Sequence, residues 1–489
     1  MSIARTAVRG AAWTIATGLG SRALGLVGTL LIARFVAPDD YGEVSTASVY
    51  LLLVNQFTTL GVGQYVIARP NAGREAAFHA TFFHLTIGVV ALGGAYLLRG
   101  PLGVQFGTPT MGLYVPGLVI SVLLDRVAFM PERILVRDMR FGFLGLARTA
   151  AELTYSGVSI GFAIAGYGAT AIVIGNVARS VLRCAMMTSA ANRRDWLSPT
   201  PIRREVAAEM FEFGLPIWIG SSANFASRRV DNILVARFFG PAIAGMYNYA
   251  YNLADVPAVQ VGEQIGDVLL PSFAKMDPEK RADGLVRSTT LLALIMFPLA
   301  VGLGAVAPTA VHAIFDKRWL AVGPMLMYLS ALSVTRPIGW TISSYLQARD
   351  RPRAVMGLEC FKVLALVGAI VTLGRLGPLW TCAAVGVAFA LHALASLWVV
   401  HLFDGIAFAR MLARLVPPLL ACVPLVGAVL GVRHGMDRLG LDGKIARLAI
   451  ETAAGGVAYV LAALVIARSA SRELLHLLRH ALKRRRAAD

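Results

Sequence analysis

Ionisable side chains lie inside long apolar runs of this sequence, among them the cations Arg22, Arg148, Arg228, Arg336 and Lys362, and the acids Glu152, Asp231, Asp255 and Glu359. At the centre of a membrane helix each charge costs about 2.5–3.5 kcal/mol on insertion scales, so four or five cations turned toward lipid would cost on the order of 10 kcal/mol. They must face protein or water. A guanidinium presents a planar two-donor fork that fits phosphate oxygens, so arginines gathered in a polar cavity suit an anionic substrate. The four carboxylates are equally costly in hydrocarbon, which makes them candidates for a proton or sodium relay. Other chemistry is not spelled. There is no Gly-x-x-x-x-Gly-Lys-[Ser/Thr] nucleotide loop, no His/Cys/carboxylate cluster with metal-ligand spacing and no nucleophile–base arrangement. Neither catalysis nor a cofactor is expected. His79 and His84 read as helix-end residues, and Cys184, Cys360, Cys382 and Cys422, all in apolar runs, as small buried hydrophobes.

The elements that position these groups must be membrane helices. The 489 residues are 57% hydrophobic and 15% charged, with mean hydropathy +0.66, whereas a soluble domain carries about 25% charged residues. Cutting at about 20 apolar residues gives fourteen spans near 9–34, 43–66, 78–98, 111–130, 141–165, 168–190, 211–236, 243–270, 284–306, 320–345, 354–374, 378–402, 411–432 and 446–467. Basic residues then gather in alternate joins, from Arg5 and Arg9 through Arg137, Arg193, Lys280 and Arg351 to the tail "LKRRRAAD". By the positive-inside rule both termini are cytoplasmic. The net charge of +18 is therefore a topology signal and not a nucleic-acid footprint. For the basic amphipathic tail two readings stand, contact with anionic lipid heads or plain solvation. The first apolar segment is too long for a cleavable leader, contains Arg22 and lacks a small-residue cleavage site.

Helical spacing gathers the charges into stripes. Span one carries Thr14, Gly18, Arg22, Gly25 and Thr29; span five Arg148, Glu152, Tyr155 and Ser159; span seven Ser221, Asn224, Arg228 and Asp231. Span eight carries Asn248, Asn252 and Asp255, span ten Ser333, Arg336 and Ser344, and span eleven Glu359 and Lys362. Spans three, nine and twelve are almost uncharged, as lipid-facing helices should be. The simplest geometry turns the stripes into one shared cavity. Arg148–Glu152 and Glu359–Lys362, at helical spacing, admit a second reading as neutralised pairs that glue helices. Asp125, Arg179 and Arg183, toward the cytoplasmic ends of their spans, read as snorkelling charges.

The chain also repeats itself. "LIARFVAPDDYG" and "LVARFFGPAIAG" align Arg34, Phe35, Pro38 and Gly42 with Arg237, Phe238, Pro241 and Gly245 at an offset of 203, and "VRDMR" before span five echoes "ARDRP" before span eleven. Duplication implies two bundles of like orientation: residues 1–190 (helices one to six) and 211–402 (seven to twelve), joined by a cytoplasmic linker at 191–210. Helices thirteen and fourteen (403–467) and a basic tail (468–489) follow. The repeated Arg-Phe-x-x-Pro-x-x-x-Gly reads as structural, its Pro and Gly stopping a helix and permitting a tight reversal.

Here the residues reach a resemblance. "SRALGLVGTLLIARFVAPDDYGEVSTA" and "RRVDNILVARFFGPAIAGMYNYAYNLADVP" resemble the polysaccharide-repeat-unit flippases of the multidrug/oligosaccharidyl-lipid/polysaccharide exporter superfamily, most strongly at spans one, two, seven and eight. The resemblance implies an all-α protein of about fourteen membrane helices, with two six-helix lobes related by a pseudo-two-fold axis around a central cavity, plus two C-terminal helices. It implies alternating access that carries an undecaprenyl-pyrophosphate-linked oligosaccharide from the inner to the outer leaflet of the bacterial cytoplasmic membrane. It places pyrophosphate on cavity cations, a role carried to Arg22, Arg148, Arg228 and Arg336 by helix and face, with Lys362 beside them and Asn224, Asn248 and Asn252 as polar lining. Expected partners are the lipid-linked substrate, membrane lipids and polysaccharide polymerase or export machinery, not nucleic acid. The competing expectation is an ion-coupled multidrug or small-solute exporter of the same superfamily, which would favour a carboxylate-rich cavity. A membrane-embedded glycosyltransferase would need a larger outer loop than the short joins here, and a scaffold would leave the buried charges unexplained.

Overall fold

The computed structural model describes residues 30–68, 73–138, 140–257, 276–330, 334–349, 351–440 and 443–476, together with Gly25, Gly28, Leu269 and Phe273. Among these residues every regular element is a helix, as expected where backbone N–H and C=O groups must be satisfied within the segment. Seven helices are long and apolar enough to cross a membrane, and the chain is a multi-pass membrane protein. The contacts divide it into two compact units, Met1–Met246 and Tyr247–Asp489.

The first unit holds α1 (Pro38–Phe57), α2 (Val62–Ala68), α3 (Gly73–Leu97), α4 (Arg99–Gln105), α5 (Val115–Arg137), α6 (Phe141–Ile164), α7 (Thr170–Ala190), α8 (Arg204–Ser227) and the start of α9 (Val230–Pro257). α5 is its hub, packing on α1, α2, α3 and α7. In the second unit α10 (Arg281–Ile314) is the hub. Around it pack α11 (Val322–Ser330), α12 (Arg336–Ala348), α15 (Phe408–Leu420), α16 (Cys422–Arg438) and α17 (Lys444–Ile466), while α13 (Pro352–Leu373) pairs with α14 (Pro378–Asp404).

Several expected spans are broken. Span two is interrupted between α1 and α2, where Leu60 (φ 48°) and Gly61 (φ 70°) are left-handed. Gly61 also packs directly on the Gly214 backbone of α8, an approach no side chain would permit. Span seven is not one helix: Arg228 and Arg229 form a turn between α8 and α9, so Asp231 belongs to a different helix from Asn224. Span ten is divided into α11 and α12, with Arg336 the first residue of α12.

The repeated motif behaves the same way in both copies, and not quite as its residue types suggest. Pro38 and Pro241 do not end a helix; each opens the next one. Pro38 is the first residue of α1, and Pro241 follows a break at Gly240 (φ 77°, ψ 179°) inside α9. Proline tolerates that position because its missing N–H would be unpaired there anyway. Gly42 and Gly245, one turn further on, are contact residues. A Cβ on Gly42 would strike the Pro241 carbonyl, and one on Gly245 would strike that of Pro38. The two copies therefore pack on each other reciprocally, in the small-residue mode that lets membrane helices cross closely.

The lipid-facing assignment of spans three, nine and twelve does not hold in full. Half of the apolar window of α10, and of α14, is buried in protein. On α3, His79 and His84 are both buried, and neither is a frayed helix end: the Arg203 backbone N–H donates to His79 Nε2 (2.8 Å), and His84 stacks on Phe129 at 4.2 Å. Low charge in a sequence is satisfied by a central position as readily as by a lipid-facing one.

Candidate functional site

Within the first unit, α1, α3, α5, α6 and α7 enclose a cavity of about 470 Å³. Its charged lining is Arg126, Arg148, Arg179 and Arg183 against Asp125, Glu132 and Glu152, an excess of one positive charge. Of the span-five stripe, Arg148 and Glu152 reach this cavity from α6, while Tyr155 and Ser159 are not in its lining. Arg148 and Glu152 do not pair with each other. Glu152 lies 3.8 Å from Arg179 of α7, and Arg179 also donates to Asn176 Oδ1 (2.8 Å) and covers the Tyr155 ring at 5.4 Å. Arg148 has no ion pair or hydrogen bond among the described residues. It is the lining cation available to a new anion.

Arg183 bridges two acids of α5, Asp125 at 2.8 Å and Glu132 at 2.5 Å. The snorkelling reading of Asp125, Arg179 and Arg183 is overturned: all three turn into the cavity and find partners there. Arg126 answers a different need. At 2% exposed, it donates to the His84 carbonyl (2.8 Å) and, at the break in span two, to the Asn55 carbonyl (3.1 Å) and Thr58 Oγ1. Its five donors tie the end of α1 to α3, adding to the bonds that the Asn55 carbonyl already accepts from Thr58. Trp218 of α8 takes the Gln56 carbonyl (3.1 Å). Span one contributes through its small residues: Gly25 packs beside the Glu152 carboxylate and Gly28 on Ser156. Arg22, Thr14, Gly18 and Thr29 lie outside the described residues.

The second unit holds its own polar cluster. Arg336, its side chain 9% exposed, pairs with Asp255 of α9, and its guanidinium lies 5.3 Å from the Phe389 ring of α14. Lys362 of α13 stands 5.8 Å from the same ring and bonds Glu359 at 2.5 Å, and His392 Nε2 is 4.0 Å from Glu359. The Arg336 Nε–H is buried without an acceptor among the described residues. Asn252 donates to Asn248 (2.8 Å). Glu359 and Lys362 thus form the neutral pair that their spacing allows. Arg336, which has no acid on its own helix, takes one from another.

The span-seven residues form a third group. Arg228 lies in the α8–α9 turn. Asp231 is fully buried, its Oδ1 accepting from the backbone and side-chain amides of Asn232 (2.9 and 3.0 Å). Asn224 stays on α8, its carbonyl accepting from Ser227. None of the three lines the 470 Å³ cavity.

Arg126, Glu132, Phe389 and His392 are not among the residues singled out from the sequence, where His84 reads only as a helix-end residue. The periodic signal was present for the cavity: Asp125, Phe129 and Glu132 on α5, and Asn176, Arg179 and Arg183 on α7, are spaced as one helix face. Their nearness to span ends concealed it. For Phe389 and His392 no local signal exists, since an aromatic and a histidine on an apolar helix read as core.

Comparison with known proteins agrees with this architecture. A family model described as polysaccharide biosynthesis protein matches residues 31–324. The succinoglycan biosynthesis transport protein ExoT of Rhizobium meliloti is 23% identical over 487 residues, covering 97% of this chain and 96% of that one. The lipopolysaccharide biosynthesis protein WzxC of Escherichia coli is 24% identical over 391 residues, 77% of each chain. Among solved structures, the lipid II flippase MurJ in an inward closed conformation superposes with TM-score 0.77 at 14% identity, covering 93% of this chain and 99% of that one. An inward-facing multidrug resistance MATE transporter gives 0.63 at 14% identity, over 80% and 96%. The likeness to polysaccharide exporters read from the residues is borne out: the chain belongs to the polysaccharide biosynthesis protein family.

Proposed function

We propose that this protein is a flippase, not an enzyme, which moves an undecaprenyl-pyrophosphate-linked oligosaccharide from the inner to the outer leaflet of the bacterial cytoplasmic membrane for export of a surface polysaccharide. In this reading about fourteen helices form two six-helix lobes around a central cavity, with two further helices at the C-terminal end and both termini cytoplasmic. The observation that carries the reading is the cation-rich cavity with Arg148 unpaired among the described residues. A pyrophosphate head loses its hydration in hydrocarbon at prohibitive cost, and a cavity with one uncommitted guanidinium replaces that hydration without first breaking an ion pair.

The remaining cations take graded parts. Arg336 exchanges Asp255 for the substrate anion as the site turns over, and its buried Nε–H is ready for that acceptor. Arg22 precedes Gly25, which packs beside Glu152, and Arg228 serves from the α8–α9 turn. Glu152, Asp231, Asp255 and Glu359 are the carboxylates through which a proton or sodium gradient would act, Glu152 and Asp255 through arginine partners and Glu359 through Lys362. The MATE likeness supports the alternative of an ion-coupled multidrug exporter at the level of fold, but a site for organic cations would not line itself with four arginines.

The test is a strain lacking the protein. Lipid-linked sugar intermediates should accumulate on the cytoplasmic side, and the wild-type gene, but not Arg148→Ala, should clear them. Accumulation on the outer side, or none at all, would refute the assignment.

A further inference from the structure

Away from both clusters, the second unit has a basic pocket of about 290 Å³ that the transport reading does not use. Its walls are the first turns of α10 (Asp283, Arg287), the first turns of α15 (Arg410, Arg414) and the helical stretch at 468–476 that follows α17 (Ser469, Glu473). α10 and α15 begin candidate membrane spans, and the stretch at 468–476 directly follows a third, α17. Two start at the pocket and the third finishes there, so it lies where spans meet the aqueous phase on one face of the membrane. Val286, Leu291 and Ala470 add an apolar share to the lining.

The charges are loosely held. Arg287 pairs with Glu473, and Arg410 with Asp283 at 2.7 Å, with every one of these four side chains at least 30% exposed. Exposed pairs of this kind hold only weakly against solvent, so a better acceptor displaces them readily. Arg414 is exposed and has no partner among the described residues. Three arginines from two helices, the hydroxyls of Thr290 and Ser469 and an apolar share of the lining fit a phosphodiester monoanion whose acyl chains continue into the bilayer.

We propose that this pocket binds the headgroup of an anionic phospholipid, and that the positive-inside reading puts it on the cytoplasmic leaflet. The site is independent of substrate transport. The full chain, reconstituted in nanodiscs of mixed phosphatidylglycerol and phosphatidylcholine, is released into the gas phase and the retained lipid identified by mass. Wild type should retain phosphatidylglycerol over phosphatidylcholine. Arg410→Gln/Arg414→Gln should weaken that retention about fivefold per arginine, and Asp283→Asn, which removes a competing acid, should strengthen it. Because the double variant could fail to fold, Asp283→Asn decides by itself: unchanged retention overturns the proposal. Equal phosphatidylglycerol retention by wild type and double variant also overturns it. So does displacement of phosphatidylglycerol by millimolar inorganic phosphate, which would mark a free-anion site.

Discussion

Replacing Arg336 with alanine tests whether that arginine binds substrate, holds the protein together, or does both. Its side chain is 9% exposed and that of Asp255 is 20% exposed, so the substitution strands a largely buried carboxylate. In soluble interiors breaking a buried pair costs roughly 3–5 kcal/mol. Asp255 keeps some access to solvent, so the lower end applies, about 3 kcal/mol, or more than a hundredfold in the folded-to-unfolded ratio. Membrane abundance of Arg336→Ala should therefore fall severely. Adding Asp255→Asn removes the stranded charge at nearly constant shape, and abundance should recover. Export should not recover if Arg336 holds the substrate anion as proposed, because that guanidinium is still missing. The assay is quantitative immunoblotting of membranes beside surface polysaccharide, for both single variants and the double. Normal abundance of Arg336→Ala would refute the buried-pair argument, and wild-type export by the double variant would refute a substrate role for Arg336.

Arg148→Ala strands no partner among the described residues, so its abundance should stay within about 0.5 kcal/mol of wild type in stability terms while export collapses; Arg148→Lys should rescue only in part, because an ammonium lacks the planar fork. Gly42→Val or Gly245→Val should destabilise by at least the 1–3 kcal/mol typical of overpacking, since each Cβ meets a proline backbone, whereas Gly93→Ala, with open space around it, should be neutral in the same thermal-shift measurement. Arg126→Met should cost about 1.5–3 kcal/mol for each charge-assisted hydrogen bond lost to the Asn55 and His84 carbonyls, read as loss of folded protein in detergent. Cysteine-accessibility labelling should place Asp39 and Lys317 outside the cytoplasm and Arg137 and Lys280 inside; labelling of Asp39 and Arg137 from the same side would break the fourteen-span topology.

The sequence by itself determined the helical membrane class, because 57% apolar residues in long runs leave the backbone no other way to satisfy itself in lipid. It also determined which helices carry charge, because an intrahelical stripe needs only the 3.6-residue period to be seen. Arg148 and Glu152 share a cavity for that reason, and the repeat containing Pro38 and Gly42 was visible as a repeat. Partnership was decided only in the tertiary structure. Glu152 pairs with Arg179 and not Arg148, Arg183 reaches Asp125 and Glu132, and Arg336 reaches Asp255 across 81 positions of chain. An ion pair depends on a distance of a few ångströms, and distances between separate helices are set by how whole faces pack. Gly42 makes the same point without charge. Its residue type suggests a turn, but its work is to lack a Cβ where Pro241 crosses, and that requirement exists only once the two copies of the motif have met.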